Sequence, residues 1–352
     1  MRQTTNKNLT KQILTLMLAF VMVFTGMGIG SWGVDTAWAT GESGSSPTST
    51  VWDGTTISEP KQVEGVYQIS TGAELAWFAA KVNDGTAANA DAVLTNDIDL
   101  GNQEWTPIGS ETPYAGIFDG QNNTIDNLLI TKNASVVGTF ATIEGGTIQN
   151  LTVSGKIEII NAEGNLSIGG ICGDAWGNII KCHNKVDVTL KGHQNGGIYV
   201  GGICGFLYEN DDAWDDDYEA YADEKAFFVE ACENSGNIDC EAAPGTTDSG
   251  QNQTFAVAGI AGSIVNSKIE ASKNSGRITV RLTGFGNANC GGITNSAYAE
   301  FISVNACYNT GKIEGSLNEE YGGVVLAGGS IIGSYEADSE YYPTNCGYLE
   351  GT

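Results

Sequence analysis

Short runs in which apolar and polar residues alternate recur along most of this chain. They include "TIQNLTVSGKI" (Thr147–Ile157), "NIIKCHNKV" (Asn178–Val186), "FVEACENSGNI" (Phe228–Ile238), "SKIEASKNSGRI" (Ser267–Ile278) and "SVNACYNTGKI" (Ser303–Ile313), with an earlier copy, "TIDNLLI", at Thr124–Ile130. A period of two puts successive side chains on opposite faces, which predicts strands half-buried on one side. Asn-Ser-Gly or Asn-Thr-Gly follows in several copies, and these residues tolerate left-handed backbone, so a corner is predicted there. A second signature opens each unit: "VGTF" at Val137, "IGGI" at Ile168, "VGGI" at Val200, "VAGI" at Val257, "CGGI" at Cys290 and "YGGV" at Tyr321. The spacings are 31, 32, 57, 33 and 31 residues, so a unit is about 32 residues long and the third carries an insertion.

Aligning the units stacks residues into columns. One column reads Leu128, Leu151, Cys182, Cys232, Ser272, Cys307 and Cys346; another reads Cys172, Cys204, Ala261, Thr294 and Val325; a third reads Val137, Ile168, Val200, Val257, Cys290 and Tyr321. A nucleophile would be unique and would have its own base. Here Cys exchanges with Leu, Ser, Ala or Thr within one chain, which predicts small buried residues. Cys182 and His183 are neighbours on a strand and point to opposite faces, so they form no catalytic pair. The paired glycines precede no helix-period pattern and are read as close backbone approaches, not as a phosphate loop. Asn184, Asn234, Asn274 and Asn309 fall in one further column, suited to a stacked amide ladder or to simple turn preference.

Short strands with corners at fixed offsets predict an all-β parallel solenoid of about six to seven rungs, spaced ~4.8 Å apart. Its ends need covering. Thr71-Gly72-Ala73-Glu74 is a T-x-x-E capping box, and Leu75, Phe78, Ala79 and Val82 follow at one-face helical spacing. A capping helix over the first rungs is therefore expected.

The segments "VWDGTTISEP", "YQISTGAELAWFAAKVN", "LTNDIDLGNQEWTPIG" and "GIFDGQNNTIDNLLI", with the Gly-Gly-Ile repeats, resemble the GLUG-motif repeat proteins of bacterial surfaces. Such segments occur in large secreted proteins of Gram-positive bacteria and ahead of the protease domain of immunoglobulin-A-cleaving metallopeptidases. The resemblance spans Val51 to Thr352 and implies a right-handed parallel β-helix with a surface or adhesive role. It supplies no catalytic residues. The peptidase branch depends on H-E-x-x-H, and His183 and His193, the two histidines here, form no such motif.

Composition adds a location. Arg2, Lys7 and Lys11 precede an apolar stretch, Ile13 to Phe24, and Ala37-Trp38-Ala39 is an A-x-A cleavage signature. Residues 1–39 therefore read as a secretory signal peptide; the alternative, an uncleaved anchor, is disfavoured by the polar break from Ser31 to Thr36. Residues 40–50 read as a flexible linker, 51–136 as the cap and first rungs, and 137–352 as repeats. Cleavage removes three basic side chains and one acidic, which leaves 13 against 41, a net charge of −28. Such a surface repels nucleic acid and anionic lipid, and no stretch after the leader is apolar enough to span a bilayer. The expected partners are an extracellular glycan or a host or cell-surface protein.

The third unit's insertion, Glu209 to Lys225, holds nine Asp or Glu residues and is the strongest departure from the repeat. Asp212, Asp215 and Asp217 are candidate calcium ligands, although the spacing is not an EF-hand and a solvated acidic loop is the simpler alternative. Calcium is the sole cofactor considered, and none is required. Trp214, Tyr218 and Tyr221 are the candidate ligand-binding aromatics. The eight cysteines are expected to be mostly free buried thiols, with Cys172–Cys204 the pair best placed for a disulfide. The enzyme alternative is a glycoside hydrolase, which needs two carboxylates facing one sugar. A lyase acting on uronates would want cations, and only Arg277 and Arg281 remain after the leader among the arginines.

Overall fold

The computed structural model describes residues 51–208, 226–243, 254–284, 287–298, 303–317, 325–329, 331–336 and 347–348. The leader and the linker lie outside the described residues. The described residues are mostly β, with one helix of 12 residues.

Three sheets carry the fold, of 13, 6 and 11 strands, and none closes on itself. One repeat sends a strand into each sheet in turn: Leu166–Gly169, then Cys172–Ile180, then His183–Gln194. The next repeat does the same, and each strand pairs in parallel with its counterpart. Leu166 lies opposite Ile198, Cys172 opposite Cys204, and Val188 opposite Ile238. Alternation is the reason in the two longer strands: Ala175, Ile179, Val186, Val188 and Leu190 turn inward and are buried, while Asp174, Trp176, Lys185 and Asp187 face out. The exception to parallel pairing among the described strands is the hairpin of Lys61–Val63 and Val66–Ile69.

The register bears out most of the columns and corrects three memberships. Val137, Ile168, Val200, Val257 and Cys290 are in register, but the next residue is Gly328, not Tyr321, which lies outside the described residues. Likewise Thr294 is followed by Ile332, and Val325 pairs instead with Asn287. The sequence offers two Gly-Gly pairs in that unit, and the second one carries the register. Leu128 lies opposite Gly155, four places beyond the cysteine-column residue Leu151, because Thr124–Ile130 matches Thr152–Ile157 across a register shift.

The corner chemistry also differs from expectation. Left-handed backbone falls on the residue before the cysteine column: Asn150 (φ 52°), Lys181 (53°), Ala231 (53°), Ala271 (48°) and Ala306 (53°). The glycine of Asn-x-Gly has another task. A β-carbon on Gly236, Gly276 or Gly311 would come within 2.0 Å of the carbonyl oxygen of Val186, Gly236 or Gly276 respectively. Only glycine lets successive backbones approach so closely.

All seven described cysteines are buried, and Cys172, Cys182, Cys204, Cys232 and Cys240 are free thiols, so Cys172 and Cys204 are not paired. The column at 182 does more than fill space. Cys232 Sγ accepts the N–H of Cys182 at 3.4 Å and donates to the carbonyl of Glu230 at 3.3 Å. Ser272 Oγ repeats both roles, toward Cys232 N at 3.1 Å and Glu270 O at 2.9 Å. At the rungs of Cys232 and Ser272 a small side chain both donates and accepts, which is why Ser can replace Cys there.

The helix, Gly72–Asn83, begins with the expected box: Glu74 N–H donates to Thr71 Oγ1 at 3.2 Å, and Glu74 Oε2 accepts from Thr71 N at 3.1 Å. Leu75, Phe78, Ala79 and Val82 are its buried face. Phe78 meets Tyr114 and Phe118 at ring distances of 5.9 and 6.1 Å, and Phe118 meets Phe140 at 5.1 Å. The helix is thus joined by an aromatic cluster to the first parallel strands.

Candidate functional site

The insertion from Glu209 to Lys225 lies outside the described residues, and with it Trp214, Tyr218, Tyr221, Asp212, Asp215 and Asp217. Among the described residues no cluster of three or more His, Cys, Asp or Glu is placed to hold a metal ion.

The strands leading up to that insertion do form a site. On the strand Ile198–Gly201 the side chain between the buried Ile198 and Val200 is Tyr199. On the following strand, Cys204–Tyr208, the outward positions are Phe206 and Tyr208. Two strands of one repeat thus carry an outward aromatic row. Tyr199 meets Phe206 at 5.0 Å and 78°, Phe206 meets Tyr208 at 4.8 Å and 79°, and Trp176 meets Tyr208 at 4.4 Å and 64°. These are edge-to-face contacts, the arrangement that ring quadrupoles favour.

The same columns are small in the neighbouring repeats. Tyr199 lies between Ser167 and Ala256, and Phe206 between Asp174 and Ser263. The aromatic repeat therefore overhangs a step, and the step is a cavity of about 320 Å³. Ser167 and Asp174 lie on its small side, with Ser135 and Val136 beyond them and Tyr199, Phe206 and Tyr208 on the large side. Asp174 is the one charged group lining it among the described residues.

Burial pushes the Asp174 carboxyl above its ordinary value, and the neighbouring Ser167 hydroxyl opposes this in part. Burial likewise raises the Tyr199 and Tyr208 phenols, and the charge of Asp174 adds to the effect on Tyr208. Two polar neighbours are already occupied. Ser167 Oγ donates to Gly173 O at 3.0 Å, and Asn165 Oδ1 accepts from Gly197 N at 3.0 Å. The cavity thus offers ring faces and one carboxyl in a partly dehydrated recess.

A second cavity, of about 400 Å³, lies beside the helix and is lined by Trp52, Asp53, Asn83 and Glu104 among others. Its polar groups hold backbone together. Asp53 accepts from Thr55 and Thr56, Asn83 Oδ1 from the N–H groups of Gly109 and Ser110, and Glu104 from Thr131 and Lys132. That recess joins the N-terminal segment to the strands.

His183 and Cys182 belong to different environments, as alternation requires. Cys182 is buried, whereas His183 Nε2 faces Ser235 Oγ at 2.9 Å and Glu233 at 3.9 Å. The aromatic row was missed in the sequence because attention fell on inward columns and on the insertion. Its signal is present: the outward column at Phe206 has a ring where its neighbours have Asp174 and Ser263.

No model of a known protein family matches this sequence. Halomucin of Haloquadratum walsbyi is 30% identical over 190 residues, which covers 48% of this chain and 2% of halomucin. Among solved structures, a Bacteroides ovatus protein provisionally designated an immunoglobulin A1 protease is similar with a TM-score of 0.54 at 17% identity, over 83% of this chain and 78% of that one. At that identity the likeness speaks for the fold, a β-rich one with parallel sheets.

Proposed function

We propose that this is a secreted or cell-surface protein that binds ligands without chemistry, built as a parallel β-solenoid of GLUG-type rungs. Three sheets with one-repeat register, entered in the same order by each repeat, support the solenoid. The leader-like N-terminus, the acidic composition and the likeness to part of halomucin support the extracellular setting. The ligand is read as an extracellular glycan or a surface protein.

The observation that carries the binding reading is the row Tyr199, Phe206 and Tyr208 overhanging Asp174. Half-buried rings on three of a strand pair's outward positions lie outside the core, and outward aromatic clusters of this kind mark recognition surfaces. A glycoside hydrolase would draw on Asp174 as its acid, since burial keeps the carboxyl protonated to higher pH. It would also need a second carboxylate facing the same sugar. Among the described residues lining the cavity Asp174 stands alone, so binding is the reading that the site supports better.

The test is a glycan and surface-protein array probed with residues 40–352, as wild type and as Tyr199→Ala and Phe206→Leu. Ligands bound by the wild type and lost by both variants, at unchanged thermal midpoint, would support the site. Retention of every ligand by both variants would overturn it.

A further inference from the structure

Asp174 and the rings of Tyr199, Phe206 and Tyr208 give the cavity an electron-rich side, completed by Val136 and Leu166. Phe206 is flanked by two rings, Tyr199 and Tyr208, standing at 78° and 79° to it, so two walls are nearly square to a third. Asp174 is the register neighbour of Phe206. Neither lysine nor arginine lines the cavity among the described residues. The whole chain adds a net charge of −26, a field that concentrates cations and repels anions.

Three ligand chemistries can be weighed against these walls. An anionic sugar would face a carboxylate and ring faces, both repulsive. A neutral sugar stacks on a ring but also needs several hydrogen bonds to its hydroxyls, and Ser167 and Asn165 are already engaged with Gly173 and Gly197. A methylated ammonium ion needs none of those hydrogen bonds. Its charge is spread over methyl groups, which pack on ring faces and are held by the ring quadrupole.

Resting on the reading of this cavity as the binding site, we propose that it recognises a small organic cation of the quaternary-ammonium class, held by Tyr199, Phe206 and Tyr208 with Asp174 as its counter-ion. The volume of about 320 Å³ admits a trimethylammonium head and a short tether.

The titration of Asp174 gives the proposal a signature. Its carboxyl is raised by burial, and a bound cation favours the ionised form. Cation uptake therefore releases a proton and strengthens as pH rises through the range in which Asp174 ionises. The groups around it do not compete. Cys172 on its own strand, and Cys204 and Tyr208 on the next, are all shifted upward by burial and stay neutral at physiological pH. Ser167 on the adjoining sheet contributes a hydroxyl, and Glu144 on the preceding strand lies opposite Trp176.

Calorimetric titration of residues 40–352 with tetramethylammonium, choline and the neutral isostere 3,3-dimethylbutan-1-ol tests this. Both cations should bind, and the isostere about tenfold more weakly or worse. Phe206→Leu and Tyr199→Ala should each weaken the cations about tenfold, and Asp174→Asn should weaken them and remove the pH dependence. Sedimentation onto phosphatidylcholine vesicles, abolished by Tyr199→Ala, would assign the head group to a lipid; choline binding without sedimentation would assign it to a soluble or polymer-borne ligand. Equal binding of the isostere overturns the cation assignment. So does silence toward both cations alongside an array ligand lost in Tyr199→Ala, although the cavity then remains the binding site. If array ligands survive both aromatic variants, the site itself is wrong.

Discussion

Gly170 and Asn184 occupy one another's space: a β-carbon on Gly170 would lie 2.0 Å from Asn184 Oδ1. The relationship repeats at Gly202 against Asn234 and at Gly259 against Asn274, where a β-carbon would fall 2.2 and 2.3 Å from the amide carbon. The glycine just before the isoleucine of each motif therefore makes room for the asparagine of its own rung. Those amides form a ladder: Asn184 Nδ2 donates to Asn234 Oδ1 at 2.8 Å, Asn234 to Asn274 at 2.7 Å and Asn274 to Asn309 at 2.7 Å. Gly202→Ala should displace Asn234 and leave buried amide groups unpaired, at a cost of about 2–4 kcal/mol. Gly197→Ala meets nothing nearer than 3.5 Å and should be mild. Urea midpoints of the two variants check this; equal midpoints would contradict the coupling.

The cysteine corner predicts an order of tolerance. Cys232→Ser keeps a donor and an acceptor and should cost under about 1 kcal/mol, as Ser272 already shows for the next rung. Cys232→Val strands the Cys182 N–H, now bound to Cys232 Sγ, and should cost about 2–3 kcal/mol. A thiol reagent should find these buried cysteines silent in the native protein and reactive after unfolding without reductant. Fewer than five reactive thiols among Cys172, Cys182, Cys204, Cys232 and Cys240 would reveal a disulfide where the structure has free thiols.

Ala231, Ala271 and Ala306 are exposed residues held at left-handed φ. An L-residue with a β-carbon pays about 1–2 kcal/mol there, and glycine does not. Ala271→Gly should therefore raise stability by about 0.5–1 kcal/mol after the unfolded chain's added freedom is deducted. The thermal midpoint reads the effect, and a fall would mean that the corner is not strained.

Two buried titrating groups should tilt stability in opposite directions. His193 is fully buried; its Nε2 lies 2.8 Å from Gly164 O and its Nδ1 has no partner. Burial lowers its pKa below 6.5, so the unfolded chain binds the proton more readily, and the stability due to the neutral ring is lost as pH falls from about 6.5 through the lowered value. Asp174 is raised, so the folded chain binds the proton more readily, and stability falls as pH rises from about 3.8 through the raised value. Urea midpoints across pH 4–8 should lose the first slope in His193→Gln and the second in Asp174→Asn. Unchanged slopes in both variants would refute these assignments.

The repeat and its inward columns were legible because burial on one face imposes a period of two, and Val186, Val188 and Leu190 hold that period without interruption. The capping box at Thr71 was legible because its chemistry is local. The last unit was not, because Gly322-Gly323 and Gly328-Gly329 are equal candidates until backbone pairing chooses Gly328 opposite Cys290. The corner was misplaced for a related reason: Asn-x-Gly has the composition of a turn, while exposed Ala231 and Ala271 have none, and tertiary hydrogen bonding at the cysteine column overrides their preference. The aromatic box escaped notice because Tyr199, Phe206 and Tyr208 are remarkable only beside the residues stacked on them, Ser167, Asp174 and Ala256 among these, and that comparison needs the outward register.

The asparagine column has an implication for how such a chain changes length. Asn234 and Asn274 each present a donor toward the following rung and an acceptor toward the preceding one. Excising the 40 residues from Asn234 to Lys273 would bring Asn274 opposite Asn184, donor to acceptor, with no new kind of contact. The rung is thus a self-matching module, and gain or loss of whole repeats is the one insertion or deletion that the interior accepts without repair.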